Sequence, residues 1–161
     1  VSDVIRIEIP GPPRGYARTG SRVVTPKDGG KPFATRFTPA ATRIEAGVVR
    51  MFAAEAMNGN PPMEGPIDLR IAAFCPIPKS WSQKRQRAAL ADEIRPTSKP
   101  DWTNIARFED ALKSIAWRDD AQVTDAAIWK RYSANPRVIL EIRQCQLAQP
   151  ASSGRKRISP S

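Results

Sequence analysis

The sequence predicts an α+β fold: a single mixed β-sheet with helices packed on it, in the element order β-α-β-α-β-β. Three observations predict it. Residues 4–9 and 67–74 alternate apolar and polar side chains, the two-residue period of a strand. Residues 38–51 and 101–115 carry apolar side chains at steps of three and four, the period of a helix. Residues 123–132 and 137–142 are rich in aliphatic and aromatic side chains and stand one turn apart. A chain of 161 residues buries one core and not two. The expected organisation is one domain over residues 1–149, with a disordered basic tail over 150–161.

Each element has its own local reason. Val4, Ile5, Ile7 and Ile9 form a first strand that Pro10 ends. Residues 10–37 are rich in Gly, Pro, Lys and Arg and read as a long, flexible, basic loop. Thr38 and Pro39 start a helix, Thr as cap and Pro at the first helical position. Its apolar face is read as Ala41, Ile44, Val48 and Met51, with Arg43 and Arg50 lying away from it. Residues 58–65 break that helix. A second strand runs from Ile67 and ends at Pro76 and Pro78. Residues 80–90 form a short helix carrying Lys84, Arg85 and Arg87, and residues 95–100 form a loop. The second main helix, residues 101–115, puts Ile105, Phe108, Leu112 and Ile115 on one face. At about 100° per residue, Thr103, Arg107 and Asp110 share the opposite face, where a polar site can be built. The last two runs read as a strand pair joined through Asn135 and Pro136. No internal repeat is present.

Charge and absent residue types narrow the function. The formal net charge is +10 and the isoelectric point is about 10.3, a field that attracts polyanions and favours a phosphate backbone. A merely basic, inert surface gives the same composition. There is no histidine, which excludes His-based triads, HNH-type nucleases and most zinc enzymes. Two cysteines, Cys75 and Cys145, are too few and too far apart for a Cys-rich metal site and read as buried thiols. No run approaches the roughly 20 apolar residues that span a bilayer, and the start lacks the apolar core of a signal peptide. The expectation is a cytoplasmic protein without membrane contact, whose chemistry rests on carboxylates, Lys, Arg or hydroxyls.

The carboxylates that stand out are Asp101, at a predicted helix start, and Asp119 and Asp120, just before a predicted strand. An Asp at a helix start is ordinarily a cap, and an Asp pair is ordinary in a turn. Taken together in a basic protein they suit a hard cation. Mg²⁺ prefers oxygen ligands and often takes only one or two carboxylates, completing its shell with water and phosphate. Such an ion activates water and offsets charge on a scissile phosphate, while basic side chains hold the backbone.

Five blocks then resemble the RusA family of Holliday-junction resolvases, in the family's order. They are Ile9-Pro10-Gly11-Pro12-Pro13, Pro78-Lys79-Ser80-Trp81-Ser82, Lys99-Pro100-Asp101, Asp110-Ala111-Leu112 and Asp119-Asp120-Ala121-Gln122-Val123. No block is diagnostic alone; the ordered set, spread over residues 4–145, is specific. The resemblance implies a homodimeric endonuclease, common in prophages, that cuts four-way DNA junctions symmetrically with Mg²⁺ or Mn²⁺. It implies that Asp101 and Asp120 are metal ligands and that Asp119 supports them. Arg107 falls where the family has a helical lysine; arginine can offset phosphate charge but is a poor proton donor.

The larger departure is Thr103, where the family's Asp-x-Asp-Asn pattern has its second carboxylate. A hydroxyl can coordinate Mg²⁺ but brings no charge. The helix also runs one residue short between Arg107 and Asp110. Glu109, Asp110 and Asp125 are the carboxylates that could compensate. Two functions therefore stay open: a junction-cutting endonuclease with Asp101, Asp120, Arg107 and Thr103 at its site, and a junction-binding protein that does not cut. Arg14, Arg18, Lys84, Arg85 and Lys99 are the expected DNA contacts, with Arg155, Lys156 and Arg157 of the tail adding non-specific affinity.

Overall fold

The computed structural model describes residues 4–16 and 19–145. Along the chain it contains β1 (Ile5–Pro10), β2 (Gly20–Val24), β3 (Phe33–Phe37) and α1 (Ala40–Met57). These are followed by β4 (Ile67–Pro76), α2 (Gln83–Leu90), α3 (Trp102–Ala106), α4 (Glu109–Leu112), a 3-10 turn (Asp120–Gln122), β5 (Val123–Ser133) and β6 (Arg137–Gln144). The fold is the expected α+β, built on a four-stranded mixed sheet in the order β1-β6-β4-β5, with β2 and β3 forming a separate two-stranded ribbon.

Alternation sets the strand faces. Ile7 and Ile9 of β1, Ile67, Leu69, Ile71 and Ala73 of β4, and Val138, Leu140 and Ile142 of β6 all enter the core. Register follows from that pattern: Ile7 stands opposite Leu140, and Ile71 opposite the same residue from the other side. A one-residue slip would turn every one of these side chains to the other face. Each fully buried aliphatic contributes about 1.5–3 kcal/mol. On the opposite face Arg6, Arg70, Phe74, Trp129, Arg137 and Glu141 line a shallow cavity instead.

The last two strands are not a hydrogen-bonded pair. β4 lies between them, parallel to β5 and antiparallel to β6. Only residues 134–136 join β5 to β6, so the connection passes over the end of β4. Parallel neighbours need a crossover. Residues 77–122 supply it between β4 and β5, and they carry α2, α3, α4 and every candidate acidic residue except Asp125, which lies in β5.

Helix α1 uses a different face from the one its apolar spacing suggested. Val49, Ala53 and Met57 are buried, with Thr42 on the same stripe, whereas Ile44 is 69% and Met51 60% exposed. Both stripes repeat every seven residues, so period alone cannot choose between them. The choice is made by β1 and α4, the elements α1 packs on. Its N-cap is Pro39 and not Thr38, and no side chain caps it.

Residues 101–115 are not one helix. Hydrogen bonds tighten to the third residue back at Phe108, Asp110 and Ala111, and this splits the segment into α3 and α4. Ile105, Phe108 and Leu112 nonetheless stay on the core side. Ile115 follows a reversal at Ser114, whose φ is 67°, and is only half-buried.

The segment read as a loop over 10–37 holds the β2–β3 ribbon. Its beginning is pinned: the Tyr16 N–H donates to the Asn104 carbonyl at 3.0 Å. A Cβ at Gly15 would lie 2.6 Å from Asn104 Cβ, so only glycine permits this approach to α3. Cys75 is buried, but Cys145 is only half-buried, its thiol donating to Asp125 Oδ2 at 3.4 Å. Among the described residues no helix is long and apolar enough to cross a membrane.

Candidate active site

The best-ordered chemistry lies in the turn before β5. Asp119 caps it, accepting the Ala121 N–H at 3.0 Å. The Gln122 amide oxygen accepts the N–H groups of Arg118 at 2.8 Å and Asp119 at 2.9 Å. Its amide nitrogen donates to the carbonyls of Met63 at 3.1 Å and Gly65 at 3.0 Å, fastening the turn to the start of β4. Asp120 is then held from two directions. The fully buried Trp117 donates its indole N–H to Oδ1 at 3.2 Å, and Lys113 Nζ donates to Oδ2 at 3.4 Å.

Lys113 is the residue the sequence reading missed. Its ammonium lies 3.2 Å from Asp119 Oδ2 as well, so one cation serves both carboxylates. Nothing periodic marks it. It reaches the pair because the chain reverses at Ser114, where the Ser114 N–H donates to the Trp117 carbonyl. The hydrogen bond and charge of Asp119, then the charge of Asp120, raise the Lys113 pKa and keep it protonated. The Ala121 N–H, then Lys113, hold the Asp119 carboxyl below its ordinary value.

Beside this turn stands Glu109. Burial pushes its carboxyl above the ordinary range, and the negative charges of Asp120 and Asp110 push it further, with Arg107 opposing. These carboxylates therefore repel one another through a partly desolvated space. Arg107, half-buried at the C-cap of α3, lies with Nε 3.6 Å from Asp110 Oδ2. Thr103, Asn104, Arg107, Glu109 and Asp110 line a polar cavity of about 300 Å³, which brings together the three residues read as one polar face.

Asp101 is the N-cap residue of α3, exposed, and its side chain accepts no capping hydrogen bond. Among the described residues no hydrogen bond or ion pair joins it to Asp119 or Asp120, and no group of three or more carboxylates and thiols is gathered closely enough to hold a metal ion. The donors that are present still fit Mg²⁺ or Mn²⁺. They are all oxygen, and a hard cation takes as few as one or two protein carboxylates. The mutual repulsion at Glu109 is what a divalent charge would relieve.

The expected DNA contacts are dispersed. Arg14 is exposed and lies 3.8 Å from Glu45. Lys84 and Arg85 are exposed on α2, where the Arg85 guanidinium stacks 3.9 Å from the Trp81 ring centre. Lys99 is exposed just before α3. Arg18 and the basic tail lie outside the described residues.

A scan against protein-family models matches residues 10–143 to the family described as Endodeoxyribonuclease RusA. The chain belongs to the RusA family. That match spans β4, β5 and nearly all of β6, the crossover and both Asp-bearing segments, and reaches only the last residue of β1. The chain is also 37% identical over 83 residues to the uncharacterized protein YqaN of Bacillus subtilis (strain 168). The aligned stretch is 50% of this chain and 58% of that relative, so it spans little more than half of YqaN.

Proposed function

We propose that the chain is a divalent-metal-dependent endodeoxyribonuclease that resolves four-way DNA junctions as a homodimer, one site per protomer. The observation that carries this reading is Asp120, a carboxylate fixed by a buried tryptophan and acting electrostatically on Glu109 of the polar cavity, inside the span that matches the RusA family. In this reading Asp120 and Asp101 are the protein's ligands for Mg²⁺ or Mn²⁺, and Asp119 holds the turn that presents Asp120. The chemistry that such an ion supplies is ionisation of a water and neutralisation of charge on the scissile phosphate.

The chain's own residues do the rest. Arg107 and Lys99 offset charge building on the phosphate as water attacks in line, and Arg107 cannot act as the proton donor because its pKa is too high. Lys113, kept protonated by its two partners, is a fixed positive charge and not a base. Thr103 offers a hydroxyl to the cavity. Arg14, Arg18, Lys84 and Arg85 hold the arms of the junction.

The test is cleavage of a synthetic four-way junction in Mg²⁺ and in Mn²⁺. Asp120→Asn should reduce cutting at least about 100-fold while leaving junction binding in place. Equal cutting by both proteins would remove Asp120 from the site.

A second reading is a junction-binding protein that does not cut. Two observations favour it: Thr103 stands where the family pattern carries a carboxylate, and Lys113 already pairs with both members of the Asp pair. Thr103→Asp separates the two. A large gain in cleavage marks a natural protein weakened at this position; continued absence of cutting in both forms supports the binding protein.

A further inference from the structure

A second cavity, of about 390 Å³, opens between α1, the start of the first loop and the α3–α4 break. Three guanidiniums line it, from Arg43, Arg50 and Arg107, against one carboxylate, Asp110, which Arg107 already faces. Arg43 and Arg50 are one heptad apart on α1, hence on the same side of the helix. Neither forms an ion pair among the described residues. Tyr16 also lines the cavity. The residue is only 2% exposed, and among the described residues its buried hydroxyl has no hydrogen-bond partner.

A buried hydroxyl without a partner is costly, about 1–3 kcal/mol, and needs an explanation. Packing accounts for the ring, which meets Phe108 edge-on at 5.0 Å. Phenylalanine would pack there equally well, so packing does not account for the oxygen. Its hydroxyl feels the charge of Glu45 first, then of Arg50 and Asp110, and the latter two line the cavity with it. A donor hydroxyl beside surplus guanidinium charge is chemistry that suits a phosphate oxygen.

We propose that this cavity is a phosphate-binding site that seats a backbone phosphate of the DNA strand next to the one being cut. The assignment rests on the DNA reading above. Arg107 and Asp110 line both this cavity and the polar one at Thr103, so the two adjoin across that ion pair. A strand whose scissile phosphate sits by Asp120 would run past Arg107, with Arg50, Arg43 and the Tyr16 hydroxyl gripping a neighbouring phosphate.

The experiment uses the full chain and a fluorescently labelled four-way junction, titrated at several salt concentrations in Ca²⁺ so that binding is read without cutting. Arg43→Ala with Arg50→Ala should weaken binding and lower the salt slope by about two units, one for each lost phosphate contact. Tyr16→Phe should weaken binding about 3- to 10-fold with an unchanged or higher Tm, since it removes the unpartnered hydroxyl and keeps the ring. A merely structural tyrosine would not separate those two readouts. An unchanged affinity and slope in the double variant overturns the site. Loss in the double variant with a neutral Tyr16→Phe overturns the built pocket and leaves two surface arginines.

Inorganic phosphate and a 5′-phosphorylated dinucleotide, titrated by calorimetry, form the second arm. If the wild type binds no DNA yet takes these probes, and the variants do not, the phosphate seat stands and the nuclease reading falls. If it binds neither DNA nor probe, both fall.

Discussion

The two Asp-bearing segments of the crossover are built in opposite ways. The turn at Asp119 and Asp120 is over-determined: a cap, a glutamine that bridges two backbone segments, a buried indole and an ammonium all fix it. The start of α3 at Asp101 and Thr103 is exposed, and the side chain of its cap residue accepts no capping hydrogen bond. A carboxylate that must meet a cation without reorganising is best held in advance. By that criterion the turn is the more firmly held half of the proposed site, and the start of α3 the less held one.

The largest effect that would break this contrast is on stability. Trp117→Ala empties a fully buried site and removes the donor to Asp120, so it should cost about 3–5 kcal/mol in urea unfolding. Gln122→Ala leaves the Arg118 and Asp119 N–H groups and two carbonyls without their partner and should cost about 1–3 kcal/mol. If it costs nothing, the turn is not held as described.

Tyr16 sharpens the comparison by pH. Burial first, then Glu45, raises its pKa, so the folded state keeps a proton that the unfolded chain releases above about pH 10. Stability should therefore be fully present below that pH and fall as pH rises beyond it, and Tyr16→Phe should flatten the fall in thermal melts between about pH 9 and 11.

Asp119 carries the opposite sign. Its lowered pKa gives stability above the unfolded value, lost as pH falls through the folded one. Lys113→Gln should raise the Asp119 carboxyl toward its ordinary value, read by NMR titration, and soften acid unfolding. The smallest effect is expected in the exposed half: Thr103→Ala should stay within about 0.5 kcal/mol of wild type. A larger loss would mean that α3 is held as tightly as the turn.

Several features were legible because local chemistry writes them into the chain. The alternation of β1 and β4 set their buried faces, and Ile105, Phe108 and Leu112 held the core side of the crossover helices even where the helix broke. The Asp pair stood out as a dipeptide before a strand. Thr103, Arg107 and Asp110 shared a face and line one cavity. Lys113 and Tyr16 left no such mark. One depends on a reversal at Ser114, the other on Gly15 letting the first loop close on Asn104.

From the sequence alone come the α+β class, the main strands and helices, the basic charge and the residue types able to do chemistry without histidine. These rest on periodicity and composition, which each segment carries by itself. The tertiary structure alone decides which stripe of α1 is buried, that β4 separates β5 from β6, and that Lys113 and Tyr16 face the places they do. Those outcomes depend on partners distant in the chain, and a local pattern compatible with two partners does not choose between them.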